Sequence, residues 1–390
     1  MAKSGAVQAP PLSYEKSRMS DKSAAIMTDL LASAGVGTEG AHPWDMQIHD
    51  QRTYRRLLCE GVLGLGESYM DGWWDSHRLD ECLVRLIRGD LRGKIQKDWR
   101  LVLHVAKAKL FNLQAGRRAF EVGEKYYNIG NDLYVAMLDS GLNYSCAYWK
   151  DARTLEAAQE AKLDLICRKI GLEPGMTVLD LGCGYGGFMK FAAEKYGAEL
   201  TGVSVSTEQI ALGTEMCKGL PITFELVDYH DVTGQYDRVV SVGMLGHVGY
   251  RNYRAFFETM HRCLKEDGIA LLHGIGSNNC VTIGNPWHHK YIFPNNMLPS
   301  IAQLGRAMNY LFVMEDWHNF GPDYDRTLMA WDRNFEDAWP DLKHDYDERF
   351  YRMWKFYLLS CAAAFRSRSQ QLWQIVMTKH GLPQPNCRLT

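Results

Sequence analysis

From Thr177 onward, short apolar runs alternate with longer stretches whose apolar positions recur at helical spacing. The strand-like runs are Thr177 to Gly182, Glu199 to Val205, Ile222 to Asp228, Tyr236 to Gly243, Gly268 to Gly276, Phe312 to Trp317 and Leu372 to Thr378. Strands separated by helices favour crossover connections over hairpins, so this rhythm predicts a doubly wound α/β sheet. Just before the last run, FYRMWKFYLLSCAAAFR reads as a helix that leads into it. A final antiparallel edge strand is compatible with that order, although pattern alone does not derive it. Upstream the character changes: Asp21 to Gly35 and Leu79 to Phe111 look helical, around a polar and glycine-rich middle, GVLGLGESYMDGWW. The expected organisation is a disordered lead-in over residues 1–20, a smaller, mainly helical domain over 21–118 and an α/β domain over 119–390.

The first strand-like run ends in the segment TVLDLGCGYGG, where an acid is followed by closely spaced glycines and then by helix-forming sequence from Phe188. Gly182, Gly184, Gly186 and Gly187 let the backbone turn sharply and approach a ligand that the following helix faces with its N-terminal amides. The spacing of Gly182, Gly184 and Gly187 also fits a dinucleotide fingerprint. Two neighbours favour S-adenosylmethionine instead. Asp180 precedes the first glycine, where a carboxylate suits the donor's ammonium or the loop that binds it. About twenty residues on, where a dinucleotide site wants an acid for the ribose, the chain has Gly202, Val203, Ser204, Val205 and Ser206. Ser204, Ser206 and Gln209 suit ribose or adenine, though Ser206 also stands where a helix cap belongs.

Composition narrows the class. The chain has 390 residues, 46% hydrophobic content and a formal net charge of −2, enough for a large core in a soluble protein. No apolar run is long enough to span a bilayer, and the first residues lack the apolar core of a signal peptide. The ten cysteines form no CxxC pairs, which argues for reduced thiols in the cytoplasm and against a zinc site. Arg85, Arg88, Arg92, Lys94, Lys97, Arg100, Lys107, Lys109, Arg117 and Arg118 interleave with Trp99, Leu101, Val102, Leu103, Val105, Leu110 and Phe111. That mixture suits an anionic bilayer surface as well as an ordinary solvated helix face. A nucleic-acid partner would call for a reading module, and none is recognisable.

Several segments together resemble the cyclopropane fatty acid synthases: EKYYNIGNDLY, YSCAYW, LDLGCGYGG, DRVVSVGM with HVG, LLHGIGS, KYIFPN and MEDWHNFGPDY. The resemblance runs from about Glu60 to Lys379 and is strongest to the bacterial phospholipid-modifying members with an N-terminal helical extension. It implies a class I S-adenosylmethionine-dependent methyltransferase fold, Rossmann-like and seven-stranded with a final antiparallel strand. It also implies an activity: a methyl group passes to a cis double bond of a membrane phospholipid, and the resulting carbocation loses a proton and closes a cyclopropane ring. Cofactors implied are S-adenosylmethionine and a bicarbonate ion that takes the proton. The implied partners are an unsaturated phospholipid, the anionic inner face of the cell membrane and a second copy of the chain.

The resemblance carries the bicarbonate cradle to Cys146, His273, the backbone of Ile275 and Tyr324, and the cofactor site to Tyr144, Ser145, Asp180, Gly182, Gly184, Gly187, Ser204, Ser206, Gln209, Asp228 and Tyr229. Tyr291, Phe293, Trp317 and Trp354 are candidates for the acyl channel or for ordinary core. Cys361 matches a cysteine regarded as catalytic in the family, yet its LLSCAAAF context reads as a small buried residue. One departure stands out. The family carries a glutamate where this chain has Gly246, and that carboxylate would accept bicarbonate's proton. Losing one charge-assisted hydrogen bond costs about 1.5 to 3 kcal/mol. Gly246 therefore leaves three expectations: a weakened cyclopropane synthase, a methyltransferase whose cation is quenched by water to a methyl-branched alcohol, or a silent lipid-binding homologue.

Overall fold

The computed structural model describes residues 24–90, 130–380 and 382–388. The expected lead-in, the basic run from Arg92 to Arg118, the boundary near residue 118 and the first part of EKYYNIGNDLY lie outside the described residues.

After a helix over residues 24–32, a small antiparallel ribbon pairs β1 (Gln47–Ile48) with β2 (Trp74–Asp75). All seven strand-like runs then form strands of one larger sheet. They are β3 (Thr177–Leu181), β4 (Glu199–Ser204), β5 (Ile222–Leu226), β6 (Tyr236–Val242), β7 (Leu264–Ser277), β8 (Val313–Asn319) and β9 (Gln370–Thr378), in the order β5-β4-β3-β6-β7-β9-β8. The chain winds outward from β3 through β4 to β5, then crosses back to place β6 on the other side of β3. Between β3 and β6 the winding reverses, and open α/β sheets place their ligands at such a reversal, beyond the carboxyl ends of the strands.

The antiparallel strand is β9, but it is not at the edge. It pairs antiparallel with β7 on one side and β8 on the other, leaving β8 outermost. Composition explains the exchange. In β9, QQLWQIVMT is buried from Gln371 onward, as suits a strand covered on both faces. In β8, VMEDWHN carries charge on both faces and is buried only at Asp316.

The N-terminal region departs from expectation in its middle. The glycine-rich stretch is a helix, Val62–Met70, packed against the helix Arg52–Glu60 that precedes it. Glycine disfavours a helix interior, but here packing overrides propensity: a methyl group on Gly66 would collide with the indole of Trp287. The next helix, Leu79–Arg88, ends sooner than its pattern suggests, with Gly89 at its C-cap.

These helices do not have a core of their own among the described residues. Met27, Leu31, Leu57, Tyr69, Trp74 and Leu83 belong to the same buried cluster as Trp287, Trp331, Trp354 and Phe356. The last three of these lie on two long helices, Pro322–Leu342 and Glu348–Arg366. Charged pairs cross the same seam. Arg366 Nη1 meets Asp80 Oδ2 at 2.6 Å while its Nε and Nη2 grip both oxygens of Asp325 at 2.9 Å, and Arg352 Nη2 meets Asp75 Oδ1 at 2.7 Å.

Candidate active site

A cavity opens at the carboxyl ends of β3 and β4, beside the winding reversal. It is lined by Tyr144 and Ser145, by Asp180, Gly182, Gly184 and Gly187, by Ser204 and Gln209, and by Asp228 and Tyr229. Every residue expected at the cofactor site is there except Ser206. The Ser206 hydroxyl instead accepts the amide of Gln209 at 3.3 Å and caps the helix Thr207–Met216, the alternative role its position offered.

The turn after β3 is built on glycine for a visible reason. Gly182 has φ +84°, and a Cβ there would come within 2.9 Å of Met244 Cβ. Gly187 and Phe188 open the helix Gly187–Tyr196 at the cavity wall, so the first turn of that helix faces the space.

Two acids give the cavity its chemistry. Asp180 is buried, and its Oδ1 has no protein partner. Burial pushes this carboxyl up to about 7, against the pull of the Lys162 charge. Asp228 uses Oδ1 to accept from the backbone amide and Nδ1 of His230, at 3.0 and 2.6 Å, while its buried Oδ2 is without a protein partner. Buried polar atoms are ordinarily paired. Two unpaired carboxylate oxygens on one cavity therefore fit a ligand that brings its own donors. S-adenosylmethionine does so, with an α-ammonium and an adenine amino group.

The residues expected to cradle an anion gather elsewhere, around the start of the helix Pro322–Leu342. Tyr324 lies in its first turn, buried, with its ring 4.6 Å from that of Phe365. Cys146 precedes Ala147, whose amide donates to Thr327 Oγ1 at 3.1 Å. The ring of His273 is 5.8 Å from that of Phe320. Ile275 pairs with Leu372, whose carbonyl accepts the amide of Phe320 at 3.1 Å. Burial keeps the main ionisable groups neutral, driving the Cys146 thiol well up and the His273 imidazole well down. His273 Nδ1 faces Gln374 Nε2 at 3.3 Å, and its Nε2 is buried without a protein partner.

Gly246 and Cys361 complete the residues named from the sequence. Gly246 is buried in the short helix Leu245–Val248 beyond β6, with Asn296 across from it. Cys361 lies in the helix Glu348–Arg366 with its sulfur 3.4 Å from His288 Nε2. Burial pushes its thiol up to about 12, so it is not a thiolate at neutral pH. Of the four aromatic candidates, Phe293 packs edge-on to Tyr357 and Trp354 lies against the same tyrosine. Tyr291 donates to Glu67 Oε1 at 2.8 Å. Trp317 packs against Trp373 in a separate apolar cluster.

Sequence reasoning missed Asn143, Lys162, Met244 and His247, all of which line the cavity, and Gln374 beside His273. For Lys162 a signal existed: it falls four residues from both Ala158 and Ile166, on the buried face of the helix Leu155–Lys169.

The comparisons with known proteins agree on one family. The family model for mycolic acid cyclopropane synthetase matches residues 114–375. The cyclopropane-fatty-acyl-phospholipid synthase of Escherichia coli (strain K12) is 49% identical over 354 residues, which cover 91% of this chain and 93% of that protein. Among solved structures, the cyclopropane synthase MmaA2 from Mycobacterium tuberculosis superposes with a TM-score of 0.62 at 28% identity, covering 67% of this chain and 98% of the other. The mycolic acid cyclopropane synthase CmaA1, solved in complex with SAH and CTAB, gives the same TM-score at 30% identity and the same coverage. With a family model spanning most of the α/β region and a relative of such identity along nearly its whole length, the chain belongs to the mycolic acid cyclopropane synthetase family.

Proposed function

We propose that this protein converts cis double bonds in the acyl chains of membrane phospholipids to cyclopropanes, using S-adenosylmethionine as the one-carbon donor. The observation that carries this reading is the cavity at the winding reversal, with one buried carboxyl oxygen of Asp180 and one of Asp228 left without a protein partner, in a chain nearly half identical to a phospholipid cyclopropane synthase.

When bound, the donor supplies an electrophilic methyl group. The protein's own residues do the rest. Asp180 receives the donor's ammonium, and Asp228 with Tyr229 holds the adenine. Tyr144, whose hydroxyl is 2.7 Å from that of Tyr357, fixes the segment between the cavity and the aromatic cluster of Tyr134, Trp331 and Trp354. An alkene is a weak nucleophile, so alignment and exclusion of water carry much of the rate, and an aromatic enclosure serves both.

Cys146, His273, the Ile275 backbone and Tyr324 are proposed to hold bicarbonate, with neutral thiol and imidazole donating to it. The unpartnered Nε2 of His273 supports that role. The chain works at the cytoplasmic face of the membrane as a homodimer in this reading, held there by the basic run from Arg85 to Arg118. Among the described residues no helix is long and apolar enough to cross a membrane.

The test is mass spectrometry of lipids after incubation with methyl-labelled S-adenosylmethionine and vesicles of cis-unsaturated phospholipid. A labelled gain of one methylene unit is the expected product. A methylated product carrying added water would replace ring closure with water capture, and no labelled lipid would sink both.

Two mutations probe the parts. Asp228→Ala is expected to weaken binding of S-adenosylhomocysteine about tenfold through loss of a hydrogen bond to a charged group; calorimetry checks this, and unchanged affinity would remove Asp228 from the site. Arg117→Glu with Arg118→Glu is expected to weaken binding to anionic vesicles roughly thirtyfold, from about 1 kcal/mol per basic residue, while S-adenosylhomocysteine affinity stays constant. Vesicle sedimentation with equal binding by both proteins would exclude the membrane role of that run.

A further inference from the structure

The helix Leu155–Lys169 turns two polar side chains, Gln159 and Lys162, inward onto the segment that carries Tyr144 and Ser145. Gln159 Nε2 donates to the carbonyls of Asn143 and Ser145 at 3.1 and 3.0 Å. Lys162 Nζ donates to Asn143 Oδ1 at 3.3 Å and Ser145 Oγ at 3.0 Å. Asn143 is itself tied to Asp139 through its backbone amide at 3.0 Å and its side-chain amide at 2.7 Å. The segment is thus clamped at several points.

The clamp does not explain the charge. Lys162 is fully buried, it lines the same cavity as Asp180, and both of its hydrogen-bond partners are neutral. A neutral amide performs the same clamping one turn earlier, at Gln159. Burying an ammonium is costly unless an opposite charge compensates, and the acids that act on Lys162 are Asp139 and Asp180. Asp139 is occupied by Asn143 and by the Gly141 amide at 3.0 Å. Asp180 has a free buried oxygen aimed at the ligand space.

We propose that Lys162 is a positioning residue for the methyl donor: its ammonium, on the same cavity as Asp180, opposes the cost of burying that carboxylate where it receives the donor's α-ammonium, while its hydrogen bonds hold Ser145 at the cavity wall. This rests on reading the cavity as the S-adenosylmethionine site and goes beyond it by assigning the source of the carboxylate's charge.

The groups that act on this pair are few. Lys162 faces Asp139, Cys146 and Asp180, and His273 feels its charge from β7. Asp180 faces Lys162 and acts on Cys183. Burial holds both thiols and the imidazole neutral. Burial also lowers Lys162, to about 8, while Asp180 is raised to about 7. Ammonium binding needs ionised Asp180, so affinity for the donor falls as the pH drops through that value. Removing the cation raises Asp180 further and moves the loss to higher pH.

The experiment is calorimetry on the full-length protein from pH 5.5 to 8.5 with two ligands: S-adenosylhomocysteine, and 5′-methylthioadenosine, which lacks the amino-acid end. Lys162→Gln retains a donor and loses the charge. For S-adenosylhomocysteine its acid limb is expected to move up by about one pH unit, making binding about fivefold weaker at pH 7 and less than twofold weaker at pH 8.5. For 5′-methylthioadenosine no change in pH dependence is expected, and in Asp180→Asn the acid limb should vanish. Should Lys162→Gln not fold, Lys162→Arg carries the test: it keeps the charge, alters the hydrogen bonds and is expected to leave the limb where the unmodified protein has it. An unmoved limb in Lys162→Gln, an equal loss for both ligands at every pH, or a displaced limb in Lys162→Arg would overturn the proposal and leave Lys162 a structural clamp. If the unmodified protein bound neither ligand, the cofactor reading would fail, and this inference with it.

Discussion

Gly246→Glu is expected to raise cyclopropane formation by roughly ten- to a hundredfold, the worth of one charge-assisted hydrogen bond. In the proposed mechanism a carboxylate at this position accepts bicarbonate's proton and steadies the anion beside the developing cation. The local structure admits the side chain. Gly246 lies in a short helix without a positive φ, so its backbone suits other residues. A Cβ there would come 2.7 Å from Asn296 Nδ2, the far end of a side chain that can turn aside. Turned, the same amide is a donor available to the new carboxylate. The backbone contact that fixes the helix, Met297 N to Gly246 O at 2.9 Å, is unaffected by the substitution. Gly246→Gln has the shape without the charge and is expected to recover little. Initial rates of labelled-methyl transfer into vesicle lipid, at several bicarbonate concentrations, make the comparison. Equal rates for the unmodified protein and a folded Gly246→Glu variant would mean that this position has no part in holding the anion.

Arg366→Met is expected to destabilise the protein by about 3 kcal/mol, at the lower end of the penalty for breaking a buried ion pair from one side. The guanidinium bridges Asp80 on an N-terminal helix and Asp325 on a C-terminal one. Asp80 is buried, and would be left with the Glu81 backbone amide and with Arg78, whose side chain is 58% exposed. Burial alone would raise the Asp80 carboxyl. The hydrogen bonds from Arg78 and Arg366 overcome it and lower the group to about 2. The sign follows: a depressed carboxyl stabilises the fold above its unfolded value of 3.8, and that contribution is lost as the pH falls toward about 2. The gap between variant and unmodified protein should therefore be widest near neutrality and narrow in acid. Urea unfolding at pH 7 measures it, and coincident midpoints would show that the apolar seam alone holds the N-terminal helices in place.

The sheet was legible because its strands are short apolar runs bounded by turns, and the cofactor side because glycines and an acid sit together in one contiguous segment. What was not legible depended on partners distant in sequence. Val62–Met70 reads only as part of a polar, glycine-rich stretch until Trp287, more than two hundred residues from Gly66, explains why glycine must be at that position. The interior place of β9 was hinted at by its uncharged, largely apolar composition, but position in a sheet is a relation between strands and only the pairing reveals it. The burial of Lys162 was legible in its spacing from Ala158 and Ile166, but its role was not, because its acids and amides arrive from other segments of the chain. Ser206 shows the reverse case, in which a local helix cap accounts for a hydroxyl that the ligand reading had claimed.

The interior position of β9 also bears on how the protein is made. Among the described residues β8 has no strand neighbour except β9, and β7 is joined to β8 only through it. A ribosome therefore releases β3 through β8 well before residues 370–378 exist to close the sheet. Throughout that interval the nascent chain presents an open, apolar edge on β7 and a solitary β8, the kind of exposed strand surface that invites intermolecular pairing. Chaperone demand during synthesis should accordingly peak late, and fall once β9 has emerged.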